Sequence, residues 1–440
     1  MKSKAIKLLI LVGALLCLSG CVFRGTEHLF VLPKSSELYL NLQSKIESVK
    51  GGAEYISPLG GGNTQSIQLV DLNGDGIPEA VAFFRKTSDE RPLKIAIFQQ
   101  DEKSEYQLLT KIEGLGTDIK AIEYCDVAGD GVLEVLATWQ VTPTVHTLAT
   151  YDVSESQGVM LMQSGCTRYI TADLNRDGKH EIYLVQIGIG EESATRVEMY
   201  MDKDGALEQH AAAPLSEGVL SVVVCEVGVL KNGEPALMIT CEYGENFRIT
   251  DIFAAEENGI KNITFDEATR RSESALRHYT SIAPADIDGD GVTEFPLTRQ
   301  IPSHPAAGQT ESFWQIIWTD FDLQGASTQK LATYHNNTDR WYLVLPSGWD
   351  GNITLSRQEY TAIGERALVF SYWQGDPNIE PQPFLTIYRL TENNRHIHAE
   401  QDNRFLLWSD SETVYAAEFV DCNWSCGLTE ETLKELFHAL

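Results

Sequence analysis

The feature that most constrains this chain is a nine-residue pattern that occurs four times. The copies are Asp71-Leu-Asn-Gly-Asp-Gly-Ile-Pro-Glu79, Asp126-Val-Ala-Gly-Asp-Gly-Val-Leu-Glu134, Asp173-Leu-Asn-Arg-Asp-Gly-Lys-His-Glu181 and Asp286-Ile-Asp-Gly-Asp-Gly-Val-Thr-Glu294. Each reads D-x-x-x-D-G-x-x-E. Each is followed by an apolar run rich in strand formers: Ala80 to Phe84, Val135 to Trp139, Ile182 to Val185 and Phe295 to Leu297. Most are preceded by another, as at Ser66 to Val70. The pattern therefore predicts an acidic loop joining two strands.

A fifth copy lies in the long gap between Asp173 and Asp286. Glu226-Val-Gly-Val-Leu-Lys-Asn-Gly-Glu234 keeps acids at the first and ninth positions but has Gly228 and Leu230 at the third and fifth. It reads as a copy that lost its ligands and kept its hairpin. The spacings are 126 − 71 = 55, 173 − 126 = 47, 226 − 173 = 53 and 286 − 226 = 60. A period near fifty holds about four strands with their turns, the size of one propeller blade. The 154 residues after Asp286 hold strand–turn–strand patterns at 341–356 and 404–419, without the acidic loop. The fold expected is all-β, a β-propeller of about seven four-stranded blades over 63–421.

Two helices should frame it. Ser35 can cap a helix with Leu38, Leu42, Ile46 and Val49 on one face, ended by Gly51 and Gly52. Gly60-Gly61-Gly62-Asn63 reads as a flexible joint, so 35–62 is a helix and joint. Thr429 can cap a C-terminal helix from Glu430 to Leu440, within a closing segment 422–440.

The loops have the donors of a hard-cation site. Oxygens at positions one, three, five and nine, with a backbone carbonyl at seven, suit calcium, which takes six to eight oxygens. Gly at position six permits the sharp turn. An EF-hand needs Glu at position twelve, where this chain has Ala82, Ala137, Leu184 and Leu297. That reading fails, and so does dockerin, which needs a following helix. The pattern instead resembles the FG-GAP or VCBS repeat, the calcium loops of integrin-alpha-like β-propellers. The resemblance implies three to four structural calcium sites tying neighbouring strands. It implies ligands from Asp71, Asn73, Asp75, Ile77 and Glu79; from Asp173, Asn175, Asp177, Lys179 and Glu181; and from Asp286, Asp288, Asp290, Val292 and Glu294. The second loop departs at Ala128, which leaves Asp126, Asp130, Val132 and Glu134 and implies weaker binding. Asp is frequent at the family's ninth position, where this chain has Glu.

The N-terminus predicts an export signal. Lys2, Lys4 and Lys7 precede the apolar run Leu8 to Leu18, about half of what a spanning helix needs. Leu18-Ser19-Gly20-Cys21 resembles the lipobox of bacterial lipoproteins. That resemblance implies a signal peptide at 1–20, a lipid on Cys21, a tether at 21–34 and a body on the extracytoplasmic face of a bacterial membrane. Cys17 is the competing cysteine, but Leu16 before it is large for the usual cut. No other run of 18 apolar residues occurs in the sequence. Cys125, Cys166, Cys225, Cys241, Cys422 and Cys426 remain, an even number that permits disulfides outside the cell. Disulfides and buried free thiols are both open.

Charge narrows the partners. Acidic residues number 63 against 34 Lys plus Arg, a formal charge of −29. Nucleic acid, whose binding rests on neutralised phosphates, is excluded as a partner class. No G-x-S-x-G, H-E-x-x-H or P-loop pattern occurs. His396 and His398 alternate as in a strand, most simply at a solvated edge. Seven of the eight tryptophans lie after residue 310. Trp349 and Trp373 sit beside turn residues and are the candidates for an exposed ligand face; Trp314 and Trp318 read as core. The expected function is a lipid-anchored binding or scaffold module for protein or glycan. The alternative is a cell-surface polysaccharide-acting enzyme, a lyase or hydrolase.

Overall fold

The fold was analysed in a computed structural model that describes residues 37–188, 194–278, 282–304, 312–360, 364–401 and 403–440. Residues 1–20, Cys21, the tether and Ser35 lie outside the described residues. Among the described residues the chain is all-β, with six antiparallel sheets of four or five strands. Sequence periodicity pointed to seven. The difference lies after residue 295, where the strands are long and one sheet takes in the C-terminus. No helix among the described residues is long and apolar enough to cross a membrane.

The described residues divide into two compact units: those of 37–57, 65–71 and 75–114; and those of 58–64, 72–74 and 115–440. The first unit holds the sheet of Glu54–Tyr55, Ile67–Val70, Glu79–Arg85, Leu93–Gln100 and Tyr106–Gly114. The helix Glu37–Lys50 packs on that sheet. Leu42 and Ile46 are buried against Ala80, Ala82, Phe84, Ala96, Phe98 and Tyr106, with Val49 partly covered. Leu38, expected on the same face, is exposed. Gly51 ends the helix at φ 54° and donates its amide to the Glu47 carbonyl at 3.1 Å, the left-handed close that glycine allows.

The second unit holds five sheets in chain order. They begin at Asp118–Cys125, Arg168–Ala172, Val219–Val229, Phe295–Ile301 and Ile353–Tyr360. Each packs on the next. Leu136 and Leu148 meet Ile182 and Leu184. Tyr183 and Val197 meet Leu237 and Phe253. Met238 and Ile252 meet Phe295 and Phe321. Trp341 and Leu343 meet Phe370 and Phe384. Strands covered on both faces have side chains buried in succession, as in Glu134–Gln140, where Glu134 through Trp139 are all buried. That is why their sequences read as unbroken apolar runs rather than alternating ones.

Bulges occur in all six sheets, and in five of them one strand carries a single skipped residue opposite its neighbour. The pairing skips Leu109, Leu161, His210, Lys330 and Phe384, each in a strand opposite an unbroken partner. A bulge residue is released from the ladder, and its side chain is re-aimed.

Several expectations are corrected here. Residues 58–64 are not a free joint: the Leu59 and Gly60 amides donate to the Ile119 and Lys120 carbonyls at 3.0 Å, and Asn63 donates to Ile122. The C-terminal helix is Glu430–Leu436, shorter than expected, and Phe437–Ala439 is a strand paired with Trp341–Leu343. Thr429 does cap the helix, in a reciprocal box with Thr432. Backbone pairing with an open sheet edge outcompetes continued helix for the last residues, because Phe437 is buried there. His396 and His398 lie in a short helix, Arg395–Ala399, not in a strand. The six cysteines from Cys125 to Cys426 are free thiols. Burial pushes Cys125 and Cys166 up to about 11 and Cys225 up to about 12, so they behave as small apolar side chains.

Trp349 and Trp373 do not form an exposed face. They are 1% and 6% exposed. Trp349 packs on Phe370, Phe384 and Trp424, and its indole N–H donates to the Cys426 carbonyl at 2.8 Å. Trp373 stands edge-on to His304 and donates to the Asp376 carbonyl at 2.9 Å. Each has found a carbonyl for its N–H, and with that bond made the ring gains more from packing than from exposure.

Candidate metal centre

The four acidic loops share one frame. The residue before position one pairs with the glutamate at position nine in every copy: Val70 with Glu79, Cys125 with Glu134, Ala172 with Glu181, and Ala285 with Glu294. The loop is thus the connection of a hairpin; its ninth residue is the first of the next strand in three copies and immediately precedes it in the fourth. Glycine at position six has φ of 83°, 89°, 90° and 85° in chain order. Position four is left-handed too, at Gly74, Gly129, Arg176 and Gly289. Two left-handed residues in one loop turn the backbone amides inward.

Those amides are gathered by the aspartates. Asp126 accepts from Gly129, Asp130 and Gly131 at 2.6, 3.1 and 2.9 Å. Asp286 accepts from Gly289, Asp290 and Gly291 at 2.7, 3.0 and 2.9 Å. Asp173 accepts from Asp177 and Gly178, and Asp71 accepts from Gly76 at 2.9 Å. Position five repeats too: Asp75, Asp130, Asp177 and Asp290 each accept the amide of position seven, Ile77, Val132, Lys179 and Val292. In the first loop, Asp71 and Asp75 to Glu79 belong to the first unit, while Asn73 falls in the segment 72–74 of the second.

The position-nine glutamates are the deepest acids of the loops. Glu79, Glu134, Glu181 and Glu294 are 2%, 2%, 1% and 0% exposed. Their longer arm folds back beneath the loop. Glu134 accepts the amides of Val127 and Ala128, and Glu294 that of Ile287. Glu181 accepts from the Tyr183 hydroxyl. Burial pushes Glu134 and Glu181 up to about 7, and raises Glu294.

The donor set of the fourth loop fits a divalent cation. Oxygens of Asp286, Asp288 and Glu294 lie within 4.8 Å of one another. Ligands 2.3–2.6 Å from one calcium can be at most about 5 Å apart. One oxygen of Glu294, fully buried, has no hydrogen-bond partner. A buried carboxylate oxygen without a donor is costly unless a cation meets it. In the first loop Asp71 likewise keeps one buried oxygen without a partner.

N–H donors already stand among these oxygens. In the third loop the Asn175 amide nitrogen lies between Asp177 and Glu181, at 3.2 and 3.3 Å. In the fourth, Lys330 reaches Asp290 at 2.6 Å and Asp288 at 3.3 Å. In the second, Lys179 lies along Gly129 and reaches the Ala128 carbonyl. Neither lysine ammonium nor the asparagine contact follows from motif spacing. Lys330 comes from the strand Ser327–Asn336, two strands along the sheet that the fourth loop leads into, and the motif holds no signal for it.

The fifth copy does not converge. Its hairpin is present, but the strand runs on to Val229, so Glu226 pairs with Met238 and the turn is closed by the Leu230 amide on the Glu234 carbonyl at 2.8 Å. Glu226 and Glu234 end on different parts of the hairpin. Arg176 of the third loop pairs with Glu234 and donates to the Gly233 carbonyl.

No family model matches the chain, and no curated protein matches it. Among solved structures, one of a protein from Lactobacillus plantarum is 10% identical, covering 72% of this chain and 79% of that one at a TM-score of 0.24. So low a score carries no argument about fold or function.

Proposed function

We propose that this chain is a calcium-stabilised, FG-GAP-like β-propeller, lipid-anchored through Cys21 on the extracytoplasmic side of a bacterial membrane, and that it serves as a binding or scaffold module. The observation that carries the reading is the loop frame repeated at four hairpins, with a buried glutamate under each. Turn formation alone does not call for a buried acid. The six sheets are then six blades. The first, third and fourth loops bind calcium through their aspartates, Asn73 or Asn175, the position-seven carbonyl and the glutamate. The second, without an oxygen at position three, binds more weakly. Calcium there ties strands together and does no chemistry.

The tryptophans expected to stack on sugars are in the core, so glycan binding loses the residues it stood on. A protein partner is the reading we favour. The test is calcium titration by calorimetry, with melting curves in calcium and in chelator. Three or four sites and a higher melting temperature in calcium support it. No heat of binding and no shift would sink it.

A further inference from the structure

We propose that Lys330 is a built-in competitor for the cation site of the fourth acidic loop, so that divalent binding there displaces this lysine. The inference rests on the calcium reading above and concerns a residue outside the repeated motif.

Lys330 lies in the strand Ser327–Asn336. Trp318 pairs with Leu331 and Thr319 with Gln329, which leaves Lys330 as the extra residue of a bulge. With no cross-strand partner to satisfy, its side chain reaches Asp288 and Asp290 at 3.3 and 2.6 Å, at the third and fifth positions of the loop. Asp288 is also one of the three acids whose oxygens converge in this loop. Glu294, another of the three, holds a partnerless buried oxygen. With four acids the Asp286 loop has the greatest negative charge of the four loops. Without a counter-charge, those acids repel one another at distances where such repulsion is appreciable. The ammonium supplies one charge; calcium supplies two and can meet the oxygens of Asp286, Asp288 and Glu294 together, which a lysine nitrogen at this place does not.

An ammonium and a calcium ion cannot both hold Asp288 and Asp290 in this geometry. Binding at this loop must therefore break two ion pairs, both partly exposed. Two such pairs lower the apparent affinity by about tenfold. The loop with the richest donor set is thereby held to a weaker affinity than its acids alone would give. Calcium concentration would then decide whether the Lys330 side chain is held by the loop or released from it, while its strand stays paired in the sheet.

The test is calcium calorimetry on the full chain after chelator treatment. Wild type is compared with Lys330→Gln, Lys330→Arg and Lys330→Gln combined with Asp288→Asn. The proposal expects one site to tighten about tenfold in Lys330→Gln, since neutral Gln forms no ion pair. It expects that gain to vanish in the double variant, and Lys330→Arg to stay near wild type. Identical isotherms for wild type and Lys330→Gln, with binding at the other loops intact, would overturn the competitor and leave the calcium reading standing. A flat isotherm in all four proteins would overturn both.

Discussion

The ammonium of Lys179, at position seven of the third acidic loop, lies 3.4 Å from the carbonyl oxygen of Ala128, at position three of the second. Its aliphatic stem runs over Gly129, where an added Cβ would meet it at 2.7 Å. The second loop is the copy without a side-chain oxygen at position three, and the neighbouring loop lends it a positive charge instead.

This relationship predicts how to restore the second site. Ala128→Asp combined with Lys179→Met supplies the absent oxygen and removes the adjacent charge. Position seven of the third loop offers its backbone carbonyl, which the substitution leaves in place. Calorimetry should count one more calcium site, or a clearly tighter one, than in wild type. An unchanged count would mean that the second loop cannot close around an ion.

A pH dependence follows from the buried glutamates. Glu134 and Glu181 are pushed up to about 7 by burial, against about 4.3 for an exposed glutamate. Between those values the folded chain holds protons that the unfolded chain has lost. In chelator, stability should therefore fall as pH rises from about 4.3 to about 7, by up to about 3 kcal/mol per glutamate. Calcium favours the ionised carboxylates and should flatten the trend. Denaturation midpoints at pH 5 and pH 7.5, with and without calcium, measure this. A rising midpoint in chelator would contradict it, and Glu134→Gln should reduce the slope.

Gly178 isolates the cost of the turn. It sits at φ 90° with nothing within 4 Å of an added Cβ. Gly178→Ala therefore clashes with nothing and carries only the strain of a left-handed alanine, about 1–2 kcal/mol. A melting temperature lower by several degrees is expected. Gly233→Ala, at φ 83° in the fifth copy and equally open, should cost a similar amount without affecting calcium binding.

The last four residues should matter more than a terminus usually does. Deleting Phe437 to Leu440 removes a paired strand and the buried Phe437 ring, which lies against Trp341 and Tyr415. Loss of one buried aromatic alone costs about 3–5 kcal/mol. The truncated chain should melt well below wild type, and Phe437→Ala should account for most of the drop.

Much of the hairpin architecture was legible in the sequence, because the loop motif fixes both its own turn and the start of the next strand. Glu79, Glu134, Glu181 and Glu294 could be placed at strand starts from spacing alone. Their depth could not, since charge argues for the surface, yet all four are buried in the folded chain. The tryptophans misled for the opposite reason. Turn residues flank Trp349 and Trp373, yet each ring finds a carbonyl for its N–H inside the core. The final strand was missed because Phe437 to Ala439 carry a helix-compatible sequence, and its partner lies near residue 341, beyond any local signal. Lys330 was missed because a bulge leaves no mark in the sequence.

The recurring bulge leaves each of five strands with one position that answers to no partner across the ladder. Leu109, Leu161, His210, Lys330 and Phe384 have little chemistry in common. Such a position is an open address: its occupant can change character while the hydrogen-bonding around it stays as it was. In the fifth sheet the address holds a lysine that speaks to a loop. A designer wishing to wire another loop of this protein to a strand of its sheet would begin at the other four.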